Sequence, residues 1–276
     1  MTLQRPVHKV LTDLYNKPHL ISSEAFGAVS SYLELRNSGL LARMESAPSA
    51  PDAPAQAGKI GIINIHGSLT NKPVIGACGE IAGANYANIL TQQTELIKAG
   101  CKTIVLDIDS GGGEAFNCFA TANAMRSQAD ANGVEMISYV QSHAASAAYA
   151  LCVLSDEVVA HPQSQVGSIG VLVALMNDTK MLEKEGLSRT FVTRGANKIP
   201  FDAEGGFREE FLAELQEQVD DLYDQFCEHV SHYTGLSVED VKSTEASMFS
   251  AKKALGMGMI NSIMTNEAFA EYLLNR

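Results

Sequence analysis

The chain has 276 residues, 46% of them hydrophobic, enough for one large domain or two modest ones with a real core. Its 32 acidic residues outnumber 20 basic ones, and no cluster of Lys and Arg exists to neutralise a phosphate backbone or an anionic bilayer. That balance excludes nucleic acid and membrane surfaces as partners.

Five cysteines, at positions 78, 101, 118, 152 and 227, form no CxxC pair and read as reduced core thiols of a cytosolic protein. The opening MTLQRPVHKVLTDLYNKPHL lacks the apolar stretch of a secretory signal, and no window of about 18 apolar residues follows. The chain is expected to be neither exported by that route nor anchored by a helix of its own.

In chain order, residues 1–46 form a helical appendage: SSEAFGAVSSYLELRNSGLLARM (22–44) has helical periodicity, with Ser22 or Ser23 as a cap. Residues 47–58, APSAPDAPAQAG, are too rich in Pro and Ala for a helix or a sheet ladder and read as an extended linker. The remaining residues, 59–276, form one domain that alternates strand and helix. KIGIINIHGSL (59–69) reads as a strand and ANYANILTQQTELIKAG (84–100) as a helix with Tyr86, Ile89, Leu90 and Ile97 on its apolar face. KTIVLDID (102–109) is the continuous apolar run of a buried parallel strand. After the loop SGGGE come a helix near 115–131, a strand at VEMISYV (134–140), the stretch AASAAYALCVLS and a strand at EVVAH (157–161). A further strand is expected at GVLVALM (170–176), then a long acidic helix over 208–235 and two short helices behind a capping box at Ser237 and Asp240. This spacing predicts an α/β fold of right-handed βαβ units on a mostly parallel sheet, ending in C-terminal helices.

In open α/β sheets, sites gather beyond the carboxyl ends of the strands. Three loops there are unusual. In DSGGGE (109–114), successive glycines let backbone N–H groups approach a ligand oxygen, although a tight turn explains them equally and P-loop spacing is absent. In SHAASAAYA (142–150), Ser146 at a strand-to-helix junction could act as a nucleophile with a following N–H as oxyanion donor. Taken by itself, a serine packed among alanines of a buried helix is the simpler reading. In QVGSIGV (165–171), glycines flank Ser168, which either holds a hydroxyl at a fixed point or enters a strand.

A serine nucleophile needs a base. His143 is three residues away but has no orienting acid in any nearby pattern; His66 ends the first strand and reads as a turn or substrate-wall residue. Lys198, in RGANKIPF after the expected strand TFVTR, lies among small and apolar neighbours and could serve if desolvated. No His, Cys, Asp or Glu cluster has metal-ligand spacing, so neither a metal nor another cofactor is expected.

Taken together and in order, HGSL, LDIDSGGGEAFNC, SHAASAAYALCVLSDEVVAHPQSQVGSIGVLV and RGANKIPFD resemble the signal peptide peptidase A family of Ser-Lys peptidases, which share the Clp protease and crotonase fold. The resemblance runs from about 58 to about 265, and its details are similar to the head maturation proteases of tailed phages. It implies Ser146 as nucleophile, Lys198 as general base, Ser168 as the hydroxyl that holds the lysine, and an oxyanion hole from backbone amides near Gly112 and Gly113 and at Ser146 or Ala147. Gly111 stands where the family's loop carries proline. The resemblance further implies a homo-oligomer that cleaves scaffold, capsid or portal proteins, and itself, in the host cytoplasm inside the assembling prohead. The alternatives are a catalytically silent scaffold-binding factor and a crotonase-like acyl-CoA enzyme.

Overall fold

The computed structural model describes residues 18–22, 54–72, 74–75, 81–202 and 204–276. In chain order the strands are β1 (His19–Ile21), β2 (Ala55–Ala57), β3 (Ile60–His66), β4 (Leu69–Thr70), β5 (Val74–Ile75), β6 (Ile81–Ala82), β7 (Ala84–Asn85), β8 (Thr103–Ser110), β9 (Gly112–Glu114), β10 (Glu135–Ala145), β11 (Glu157–Ala160), β12 (Gln165–Gly167), β13 (Met248–Ser250) and β14 (Ser262–Ile263). The helices are α1 (Tyr86–Lys98), α2 (Cys118–Asn132), α3 (Ala147–Cys152), α4 (Thr179–Lys184), α5 (Glu209–Thr234), α6 (Val238–Lys242), α7 (Ala251–Gly256) and α8 (Asn266–Leu274), with a 3-10 turn at Ala196–Lys198.

A strand such as TIVLDIDS has no polar face to offer water, so it is stable only when covered on both sides. It is accordingly central. The main sheet runs β13-β12-β10-β8-β3-β2, with β11 beside β10 and β14 beside β11. The β3–β8, β8–β10, β10–β11, β10–β12 and β11–β14 pairs are parallel, and only the β2–β3 and β12–β13 pairs are antiparallel. This is the mostly parallel α/β sheet expected from the alternation. Helix α1 starts where the Asn85 side chain accepts from the Asn88 N–H, and buries Tyr86, Ile89 and Leu96 against the sheet. Among the described residues no helix is long and apolar enough to cross a membrane.

A second sheet, β1-β9-β4-β7, stands at the end of the first. It holds two departures from expectation. The SGGGE loop is a strand at Gly112–Glu114, parallel to β4 and antiparallel to β1. His19–Ile21, within the segment read as a helical appendage, is a strand, because its ladder comes from β9, some ninety residues away; three residues carry no periodicity of their own. The helical pattern of 22–44 lies outside the described residues apart from Ser22. The end of the 47–58 segment also differs: Ala55–Ala57 pairs with Ile60–Ile62 at the sheet edge, where Pro54 just before the strand interrupts nothing.

GVLVALM does not form the expected strand. The ladder falls one step earlier, at Gln165–Gly167, and of 170–176 only Leu172 makes a bridge, to His19. Likewise TFVTR is irregular and exposed. The expected C-terminal helices are present, and the Ser237 side chain accepts from the Asp240 N–H at the start of α6.

Candidate active site

Strand β10 ends at Ala145 and helix α3 begins at Ala147, leaving Ser146 as the hinge between them. Its backbone has φ 55 and ψ -120, a conformation that costs any residue with a Cβ. The amide donates to Gly167 O at 2.8 Å, and Oγ reaches Gly170 O at 3.5 Å. Helix α3 is wholly buried: Ala147, Ala148 and Ala150 pack it against α2, α5 and β9, with Tyr149 OH donating to Met259 O at 2.8 Å. The alanines are therefore packing residues that let a short helix enter the core at a strand end. As the first residue of α3, Ala147 has no carbonyl one turn back for its N–H.

Gly112 lies across from Ser146 at φ +94, a left-handed conformation that favours glycine. A Cβ on it would stand 2.3 Å from Leu20 O, 2.9 Å from Ala145 O and 3.0 Å from Ser146 Cβ, so three chain segments converge on one point. Gly113 is the central strand position between Leu20 of β1 and Leu69 of β4. The Gly112 N–H points to Ser110 Oγ at 3.2 Å, and that hydroxyl in turn donates to Gly67 O at 2.5 Å. Ser110 thus anchors the glycine strand. In the sequence Ser110 is marked only as a hydroxyl residue between an apolar strand and three glycines, too weak a signal to distinguish it from an ordinary turn serine.

Ser168 sits one residue past β12, buried, at φ 54, with its amide donating to Ser247 O at 2.9 Å. Because Ala145 is in register with Gly167, Ser146 and Ser168 leave adjacent strand ends. Lys198 is carried by a separate segment. It is exposed on the 3-10 turn, whose neighbours tie it to α5: Asn197 donates to Glu214 at 2.9 Å, and Arg208 Nε donates to Ile199 O at 3.0 Å. No hydrogen bond joins Lys198 to Ser146 or Ser168 among the described residues. His143 faces Asp109, its Nδ1 3.7 Å from the carboxylate, and His66 Nε2 lies 3.3 Å from Asp107; neither reaches Ser146.

Two buried groups flank the serine helix. Burial pushes the Cys118 thiol up to about 12, and its Sγ lies 3.7 Å from Ala147 O; burial likewise raises Cys152, on α3 itself, to about 12. Both stay protonated at neutral pH, so neither is a nucleophile. Iodoacetamide at pH 7.5 is therefore expected to leave both unlabelled in the native chain by mass spectrometry of digests, and rapid labelling of either would contradict their burial.

His229 of α5 meets the carbonyl of Ala150 with Nε2 at 2.9 Å, and burial pulls its imidazole below the ordinary value. The neutral ring donates Nε2–H to that carbonyl and packs beside Phe119 and Tyr233. Since the unfolded chain binds the proton more readily, this contribution is complete above about pH 6.5 and shrinks as pH falls through that value. The melting temperature should drop between pH 7.5 and 5.5, and His229→Gln should make the drop shallower; equal slopes in the two proteins would remove His229 as the cause.

A profile described as "Peptidase family S49" matches residues 128–273, more than half of the 276-residue chain, and spans Ser146, Ser168 and Lys198. The chain is similar to head-tail preconnector protein GP5 of Enterobacteria phage P21, 25% identical over 232 residues, 82% of this chain and 46% of that protein. It is also similar to capsid assembly protease C of Escherichia phage lambda, 28% identical over 163 residues, 59% of this chain and 37% of that protein. The chain therefore spans less than half the length of these two curated relatives. Among solved structures it aligns with a ClpP1 mutant from Listeria monocytogenes at a TM-score of 0.45 and 12% identity, covering 74% of this chain and 91% of that one.

Proposed function

The chain belongs to peptidase family S49, and on that premise we propose that it is a serine endopeptidase with Ser146 Oγ as nucleophile and Lys198 as general base. Neutral Lys198 Nζ takes the Ser146 proton, Oγ attacks the scissile carbonyl, and the lysine returns the proton to the leaving amine; water then hydrolyses the acyl-enzyme. Ser168 holds the lysine amine in line. The amide of Ala147 and the amides of the Gly112 and Gly113 strand receive the oxyanion, the Gly112 N–H on leaving Ser110 Oγ.

The observation that carries this reading is the backbone of Ser146. A serine whose only task was packing would gain by relaxing from φ 55, ψ -120, or by giving way to glycine. Lys198 lies on an exposed turn, so the proposed dyad requires its amine to come within hydrogen-bond reach of Ser146 Oγ before proton transfer. The name of capsid assembly protease C supports a role in capsid assembly; the substrates proposed are scaffold, capsid or portal proteins, cut by a homo-oligomer within the assembling head.

Co-expression with the neighbouring capsid and scaffold proteins tests this. New fragments should form with the unmodified chain and vanish, by at least about a hundredfold, with Lys198→Ala. Fragments that persist in Lys198→Ala would assign the base elsewhere; no fragments from the unmodified chain would leave the catalytically silent scaffold-binding reading.

A further inference from the structure

Strand β9 has β4 on one side and, on the other, only β1. Without β1 its outer edge would be a row of unpaired N–H and C=O groups, the kind of edge that takes an extended peptide as an added strand. Residues 18–22 fill that place, and they are held from both sides. On one side His19, Leu20 and Ile21 are in antiparallel register with Glu114, Gly113 and Gly112, and the Ser22 amide donates to Gly111 O at 2.9 Å. On the other, the His19 amide donates to Leu172 O at 2.8 Å and the Leu172 amide to His19 O at 2.9 Å. The segment lies between the glycine strand and the stretch following Ser168, and it runs past Ser146.

Its Leu20 carbonyl oxygen and Ser146 Cβ crowd the same point beside Gly112, at 2.3 and 3.0 Å from a Cβ built there. Leu20 is wholly buried, His19 and Ile21 nearly so, and beneath them Ser146 is 0% exposed. A nucleophile with no exposed surface cannot meet a substrate from solution. Among the described residues, the backbone pairing of 170–176 is the bridge of Leu172 to this segment.

We propose that residues 18–22 are a resident strand that occupies the peptide-binding cleft in cis and shuts the enzyme until it is withdrawn. The inference rests on the peptidase reading for the meaning of the cleft, but the occupancy itself is a binding equilibrium. The cleft takes an extended segment with an apolar side chain at the position of Leu20. A competing peptide binds more weakly by the fraction of time the cleft is free.

The test uses the full chain carrying Ser146→Ala, so that nothing is turned over, and a fluorescein-labelled peptide NKPHLISSE as probe. Anisotropy titration should show binding at least about tenfold tighter when the chain also carries Leu20→Arg or His19→Pro, the second removing the N–H given to Leu172 together with the imidazole. Equal affinity in the blocked and unblocked chains overturns the proposal. A measurement without mutation accompanies it: exchange of the His19 and Ser22 amides should be slow in the unmodified chain and speed up on adding excess unlabelled peptide, whereas fast exchange from the start overturns it. With Ser146 intact, the same two variants should cleave casein several-fold faster. If no variant cleaves casein yet the peptide still binds tighter, the peptidase reading fails and the occupancy stands.

Discussion

Replacing Ser146 by alanine should reduce peptide-bond cleavage by about 10^4-fold or more, because the hydroxyl is the only atom in the proposed mechanism that forms a bond with the substrate. The loss should fall on kcat, with KM for a peptide little changed, since the strand-binding edge of β9 is untouched. Alanine keeps the strain at this position: its Cβ suffers the same clashes at φ 55, ψ -120. Glycine does not. Ser146→Gly is therefore expected to be as inactive as Ser146→Ala and more stable than the unmodified chain by about 1 kcal/mol, read from the denaturation midpoint. That combination separates a strained nucleophile from a packing serine. If Ser146→Gly were less stable than the unmodified chain, the hydroxyl would be holding the fold together and the carrying observation would lose its meaning.

The largest effect on stability should come from Gly113→Ala. A Cβ there would lie 1.9 Å from Leu69 O, with Leu69 C and N at 2.6 and 2.7 Å, all backbone atoms of β4 that cannot swing aside as a side-chain tip could. The two strands would have to part, breaking the Leu69–Gly113 pairing and loosening the β9 edge on which β1 lies. A cost on the order of 4 kcal/mol is expected, against a total stability of about 5–15 kcal/mol for a typical domain. Thermal unfolding should shift down by roughly 10 °C. Gly256→Ala is the control, since its added Cβ meets nothing within 4 Å and should change stability by less than about 1 kcal/mol. Equal shifts for the two would show that β9 and β4 are not so closely paired.

The main sheet was legible because its strands are continuous apolar runs, and such a run leaves a chain few places to go. Thr103–Ser110 and Glu157–Ala160 fall within a residue or so of their expected bounds. The long helix was legible for the related reason that its apolar face recurs over 26 residues. GVLVALM misled because an apolar run also suits a segment lying on a surface beside a single partner, which Leu172 does. The glycine strand was hidden for the opposite reason. Glycines carry no side-chain pattern, so Gly112–Glu114 reads as a turn until neighbouring backbones give it a ladder.

The candidate site divides along the same line. The positions of Ser146, Ser168 and Lys198 came from resemblance in motif order, since no local spacing distinguishes a reactive serine from a packed one. His143, adjacent in sequence, is directed to Asp109 by the strand end it sits on. Lys198 shows the limit of motif order in another way: the segment that carries it is tied to α5 rather than to α3.

By itself the sequence determined the class of fold, the order of its central strands and main helices and which residue types meet at the sheet's carboxyl ends, because these follow from local periodicity and from where glycine and small residues fall. Tertiary structure alone decided that Ser146 is strained and covered, that Gly113 is wedged between two backbones, and that a three-residue strand from the N-terminal segment lies in the cleft. Each of these depends on backbone hydrogen bonds or close approaches between segments far apart in the chain, and such contacts leave no periodic trace in either partner.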